Sequence, residues 1–358
     1  MTDHVNFMLV HLSARESRYD AIVDPLADVL DVSRVRGAVL AHVCASDPWG
    51  MRLSSTPGAA FHAITAGTCW LRFDGGAPLQ LMPGDVVLLA TGRAHDMVST
   101  PDGRTRAYDR VTKEELMTPD GDLLIAGPGA VTRFICAAYE FDHEVAHPLL
   151  SLLPPVVHIP ADAPGGSGPI QSTLRLLGGE LGGRSPGSRS VVTRLTDVLF
   201  VQVLREWLKR ERGGACWLRA LRDPQIAKVI AVMHARPAEP WTLATLAQSV
   251  NLSRATLARR FTELVGEPPL AYLTRWRMDL AARRLRETAE PVNVIAHGVG
   301  YTSEFTFSRA FTRMRGEAPA RYRRALRPAA WPVIMAEAGP FRRSRDARSG
   351  YSPAPRRG

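Results

Sequence analysis

"NLSRATLARRF", Asn251–Phe261, is written again fifty residues later as "YTSEFTFSRAF", Tyr301–Phe311. Ser253 aligns with Ser303, Thr256 with Thr306, Arg259 with Arg309 and Phe261 with Phe311. Each copy follows a short stretch of helical spacing. "WTLATLAQSV" puts Leu243, Leu246, Ala247 and Val250 on one side, and "VNVIAHGV" repeats the pattern with Ala296 and Val299. Asn251 tolerates a left-handed backbone and Gly300 adopts one freely, so both positions read as tight turns. Ser253 and Ser303 then stand where helix N-caps belong. Behind them, Leu257, Phe261 and Leu264 are spaced for an inner helix face, as are Phe307, Phe311 and Met314. Helix, short turn, capped helix is the helix-turn-helix layout, and the sequence predicts it twice.

Each copy leaves by a similar exit, "GEPPLAY" at 266–272 and "GEAPARY" at 316–322. Glycine can end one helix there and proline can begin the next. Between the copies, "LAYLTRWRMDLAARRLRET" at 270–288 reads as one helix of about 27 Å at 1.5 Å per residue. That length suits two readers set about one DNA turn, ~34 Å, apart. A helical bundle with a duplicated hairpin would show the same periodicity. Charge separates the two readings. From Asp223 to Arg327 there are seventeen Lys/Arg against nine Asp/Glu, most of the chain's net charge of +10. Arg254, Arg259, Arg260, Arg309, Arg313 and Arg315 fall on or beside the second helix of each pair. Basic side chains on exposed helix faces are what phosphates and guanine edges require.

The front of the chain has a different texture. "RGAVLAHVC", "FHAITAG", "TCWLRF", "LQLMPGDVVLLAT" and "RFICAAYEF" are strand-length apolar runs separated by turn residues. Many short strands of this kind predict a barrel or sandwich. From Gln171 the pattern turns helical, and Val191, Leu195, Val198, Leu199, Val203 and Trp207 form a broad apolar face. The linker helix is expected to stop near Gly213–Gly214. Its apolar face serves core packing or a homodimer surface. Beyond Pro328 the residues are mostly Pro, Ala, Arg, Gly and Ser, the composition of a disordered basic tail.

The totals are consistent with this organisation. A length of 358 residues suits two domains and a connector, and an apolar share of 45% supplies real cores. A basic balance is compatible with a polyanionic partner. None of the four cysteines forms a CxxC pair, so free thiols in a reducing compartment are expected. The N-terminus lacks the basic start of a signal peptide, and no apolar run approaches ~18 residues. A cytoplasmic location, away from membranes, is the expectation.

The repeat resembles the AraC/XylS family of bacterial transcription regulators. "IAHGVGYTSEFTFSRAFTRMRGEAPARYR", 295–323, is similar to that family's signature at Ile295–Ala296, Gly300–Tyr301, Phe307, Arg309, Phe311, Gly316, Pro319, Tyr322 and Arg323. The front domain resembles the cupin-type sensor of one branch, through "FHAITAGTCWLRFDGG", "LQLMPGDVVLLATGRAH" and "LLSLLPPVVHI". The resemblance implies a multidomain α+β chain. Residues 1–20 are an N-terminal arm and 21–165 a cupin-like β-barrel that senses a small molecule. Residues 166–222 are a helical linker, 223–327 an all-α double helix-turn-helix domain and 328–358 the tail. It implies double-stranded DNA and RNA polymerase as partners, with activation of transcription. The recognition helices, about 254–264 and 304–315, would read successive major grooves. The positions that would meet DNA are Arg254, Ala255, Ala258 and Arg259 in the first helix, and Glu304, Phe305, Ser308 and Arg309 in the second. Alanine suits a thymine methyl and Arg a guanine, while Glu304 either accepts from a cytosine amino group or favours its helix N-terminus.

In the front domain, His62, Cys69, His95 and Cys136 could meet inside the barrel. Imidazole with thiolate would suit zinc. The same residues could instead line an effector pocket or be satisfied in the core. The first cupin block ordinarily has two histidines one residue apart, and this chain has His62 alone. That departure weighs against the alternative function, a metal-dependent cupin enzyme with an accessory helical domain.

Overall fold

The computed structural model describes residues 24–33, 35–119, 121–141, 153–162, 168–182, 185–210 and 220–325. The N-terminal arm, the end of the linker helix near Gly213–Gly214 and the basic tail lie outside the described residues.

The front half holds eleven strands among the described residues. They are β1 (Arg36–Ser46), β2 (Gly50–Leu53), β3 (Ala59–Ala66), β4 (Cys69–Arg72), β5 (Leu79–Leu81), β6 (Val86–Leu89), β7 (His95–Val98), β8 (Arg106–Ala107), β9 (Leu123–Ile125), β10 (Val131–Glu140) and β11 (Val157–Ile159). One sheet runs β11–β6–β3–β10–β1–β9 and the other β5–β4–β7–β2–β8. The expected barrel therefore takes the form of two facing sheets, a jelly-roll, each keeping its own ladder. Alternation along β3 shows how the sequence builds two layers. Ala60, His62 and Ile64 face the space between the sheets, where Leu71, Leu81, Met97 and Phe134 are buried. Ala59, Phe61 and Ala63 face the other way.

That second face is covered by helices. Helix α1 (Pro25–Ser33) precedes β1, and α2 (Arg110–Leu116) lies between β8 and β9. Helices α3 (Gly168–Gly182) and α4 (Ser188–Arg210) follow β11 and bury Leu174, Leu177, Leu199, Phe200 and Val203 in the same core as Phe61, Ile135 and Tyr139. The Tyr139 hydroxyl donates to the Thr196 carbonyl at 2.9 Å, and the Gly37 amide donates to Asp197 at 2.9 Å. A side chain at Gly37 would come within 2.6 Å of both Thr196 and Tyr139, so only glycine lets α4 settle this close to β1. Part of the predicted apolar face of α4 is thus spent on the sheet, while Val191 and Val198 stay exposed.

The remaining described helices are α5 (Pro224–Ala235), α6 (Leu243–Ser249), α7 (Arg254–Val265), α8 (Pro269–Glu287), α9 (Val292–Gly298), α10 (Glu304–Arg315) and α11 (Pro319–Ala325). Leu246, Ala247, Leu257, Phe261, Tyr272 and Trp276 extend the core that begins on the sheet. Met278, Ala281, Leu285, Ile295, Ala296, Phe307, Phe311 and Tyr322 form a separate core. No described helix is long and apolar enough to cross a membrane.

Candidate nucleic-acid interface

The two copies of the repeat fold alike. Asn251 has φ of 54°, the one non-glycine residue with positive φ among those described, and Gly300 holds φ of 89° in the second turn. Ser253 Oγ accepts from the Thr256 amide at 3.1 Å, and Ser303 Oγ accepts from the Phe305 amide at 3.2 Å. Each cap satisfies an amide that the first turn leaves without a helical partner. Gly266 and Gly316, with φ of 89° and 76°, end α7 and α10. Leu257 and Phe261 are buried under α7, as are Phe307 and Phe311 under α10. Two inner-face expectations need correcting. Leu264 is only partly buried, with Val265 taking the inner place. Met314 is 38% exposed, with Arg315, buried against Asp279, taking the inner place.

Opposite these cores lie the residues expected at DNA. Arg254, Ala255 and Arg259 are exposed and Ala258 half-buried on α7; Glu304, Phe305 and Arg309 are exposed and Ser308 half-buried on α10. Arg313, singled out above only for its charge, and Thr312, which the sequence reading did not single out, share a shallow hollow with Phe305, Ser308 and Arg309. Their helical spacing from Arg309 was the available signal.

The six arginines near these helices divide into two kinds. Arg260 is held by Asp223 and by Gln225 Oε1 at 2.7 Å. Arg315 pairs with Asp279, and both side chains are almost fully buried. Arg275 reaches Asp279 at 3.6 Å and Glu267 at 2.6 Å. Burial raises the Asp279 carboxyl to about 7 against the pull of Arg315 and Arg275. These pairs tie helices together and leave the outer faces of α7 and α10 to the others. Arg259 reaches Glu263 at 2.9 Å in an exposed pair, which water and a phosphate can readily displace. Arg309 instead lies over the Phe305 ring.

In the sensor half, three of the four candidate ligands come together. His95 Nδ1 is 2.8 Å from the Arg93 carbonyl, so that nitrogen carries the hydrogen. His95 Nε2 then accepts, and His62 Nε2 donates to it across 2.8 Å. His62 Nδ1 in turn accepts from the Cys136 thiol at 3.1 Å. The chain is complete with every member neutral. Burial holds His62 well below the ordinary imidazole range and lowers His95; it pushes Cys136 far up. Cys69, pushed up to about 12, is buried in the same core but stands outside this chain of hydrogen bonds. Among the described residues, no group of three or more His, Cys, Asp or Glu is arranged to hold a metal ion. Beside Cys136, residues including Leu40, Val43, Met51, Met97, Tyr108 and Phe134 wall a small apolar cavity of about 40 Å³.

A two-sheet sensor joined to paired helix-turn-helix modules with basic outer faces defines a DNA-binding regulator. Comparison with known proteins agrees. Residues 24–209 match the family described as "Cupin", and residues 246–325 match the family described as "Helix-turn-helix domain". A "Putative AraC-like transcription regulator" of Streptomyces lividans is 37% identical over 84% of this chain and 98% of its own length. One of the same description from Streptomyces antibioticus is 36% identical over 86% of this chain and all of its own. The solved DNA-binding domain of AdpA, in complex with a target DNA, is 34% identical over 28% of this chain and 89% of its own, with a TM-score of 0.27. The chain belongs to the AraC-like transcription regulators, with a Cupin-family front domain. It is a regulator and not an enzyme, and its partner is double-stranded DNA.

Proposed function

We propose that the two modules read two segments of one operator from successive major grooves. The observation that carries this is the sorting of arginines. Arg260 and Arg315 are locked inward by carboxylates, whereas Arg254, Arg259, Arg309 and Arg313 keep to the outer faces of α7 and α10. Helix α8, 19 residues or about 28 Å long, suits the spacing of one DNA turn. Arg254, Ala255, Ala258 and Arg259 serve the first segment; Glu304, Phe305, Ser308 and Arg309 serve the second. Residues 21–165 sense, 166–222 connect and 223–327 bind DNA.

The effector enters between the sheets at this small apolar cavity, whose wall favours an uncharged molecule and whose side chains move aside to admit it. The His62–His95–Cys136 chain is a satisfied core network beside it rather than a zinc site. The exposed Val191 and Val198 on α4 support homodimerisation, and contact with RNA polymerase makes the protein an activator. Selection from random duplexes by the full chain at moderate salt tests the central reading. Two conserved blocks about ten base pairs apart are expected. A selected pool without sequence preference, or with one short block, would overturn it.

A further inference from the structure

Phe305 is a residue that the packing of α10 does not explain. It is 68% exposed, more than any other large apolar side chain among the described residues. It sits in the first turn, away from the buried Phe307 and Phe311. The Arg309 guanidinium lies over its ring at 5.8 Å from the centroid, so the two side chains stand side by side. Ser308 and Thr312 join them in lining the hollow on this face. Arg309 has no carboxylate partner within ion-pair distance among the described residues. The first module is built differently. Ala255 occupies the position fifty residues before Phe305, and Arg259 is engaged by Glu263.

An exposed phenyl forgoes the gain that burial would give it. The edges of base pairs in the major groove offer one apolar group, the C5-methyl of thymine, beside the O6 and N7 acceptors of guanine. A phenyl and a guanidinium held together match those two features on neighbouring base pairs.

We propose that Phe305 and Arg309 read a thymine and an adjacent guanine as one unit, with the phenyl on the thymine methyl and the guanidinium on guanine O6 and N7. Phe305 is then a specificity-determining residue of the second module, and Ala255 is too short to act likewise in the first. The inference rests on the reading of α10 as a groove-facing helix.

The test uses the full chain and the operator obtained by selection from random duplexes. Each thymine is replaced singly by uracil, which removes the methyl group and nothing else. One thymine beside a guanine in the segment bound by α10 is expected to cost the wild-type protein about three- to tenfold in gel-shift affinity. In Phe305→Ala that cost disappears, while replacing the adjacent guanine by 7-deazaguanine still weakens binding through Arg309. Phe305→Leu retains part of the uracil cost. The proposal is overturned if no uracil costs the wild type more than about twofold, or if the cost is undiminished in Phe305→Ala. In both cases the selected operator remains bound, so the double-module reading survives. A selection that yields no operator overturns both.

Discussion

Arg309 and Arg315 are six residues apart on one helix, and the structure gives them opposite tasks. Arg309 points to the outer face, whereas Arg315 is sealed against Asp279. Arg309→Ala is expected to weaken specific binding by about 1–3 kcal/mol while leaving the melting temperature nearly unchanged. Arg315→Ala should lower stability by about 3 kcal/mol, because it takes from a buried carboxyl the nearer of its two cations. Gel-shift titration beside denaturant unfolding separates the two; equal losses of affinity and stability in both variants would contradict the division. The sequence did not reveal it. Asp279 and Asp223 lie 36 and 37 positions from the arginines they hold. At such separations only the fold decides which charge is spent inside.

At the scale of elements, the repeat was readable because its signals are local. A cap, a turn residue and an inner face each depend on neighbours within one or two turns. Ser303→Ala is expected to cost about 1 kcal/mol, since the Phe305 amide loses its acceptor. An unchanged unfolding midpoint would contradict the cap. Leu264 and Met314 fall just off the inner face because a helix allows a step of three or four, and the structure takes four, to Val265 and to Arg315. Helix α8 carries a related lesson. Tyr272, Leu273 and Trp276 join the first core while Met278, Ala281 and Leu285 join the second, so one apolar stripe serves two cores. The front strands were legible as short apolar runs, but their pairing was not. His62 and Cys136 are cross-strand neighbours on β3 and β10, 74 residues apart.

At the scale of the molecule, one described core takes in the sensor sheet, α3, α4, α5 and the first helix-turn-helix module, and α1 touches both α5 and α8. Asp28 on α1 meets His234 on α5 at 3.0 Å, and His234 Nε2 lies 2.7 Å from the Tyr272 hydroxyl on α8. The second module keeps its own core. Phe261→Ala, at about 3–5 kcal/mol, should therefore loosen the sensor helices as well as α7. Phe311→Ala should loosen α9 to α11 alone. Hydrogen exchange resolved by segment measures both, and sensor protection unaffected by Phe261→Ala would count against the shared core. A pH dependence follows from the buried imidazoles. Burial lowers the folded-state pKa of His62, His95 and His234 from the usual 6.5, so below that pH the unfolded chain takes up protons that the folded chain refuses. Their contribution is present above pH 6.5 and is lost progressively as the pH falls toward the lowered values. Asp279, raised to about 7, acts in the opposite sense over the same window, so the imidazoles show in a comparison: between about pH 7.5 and pH 5.5 the urea midpoint of the wild type should fall more than that of His234→Gln, and equal changes would contradict it.

The sequence by itself determined the double module, its caps, its turns, its basic excess and the β texture of the front. All of these are written in residues close together along the chain or in bulk composition. Tertiary structure alone decided which arginines are paired inward and which stay on the outer faces, that two histidines and a thiol satisfy one another, and that the sensor shares its core with one module. These outcomes are contacts between residues distant in sequence, and their energy depends on burial and on which partner arrives.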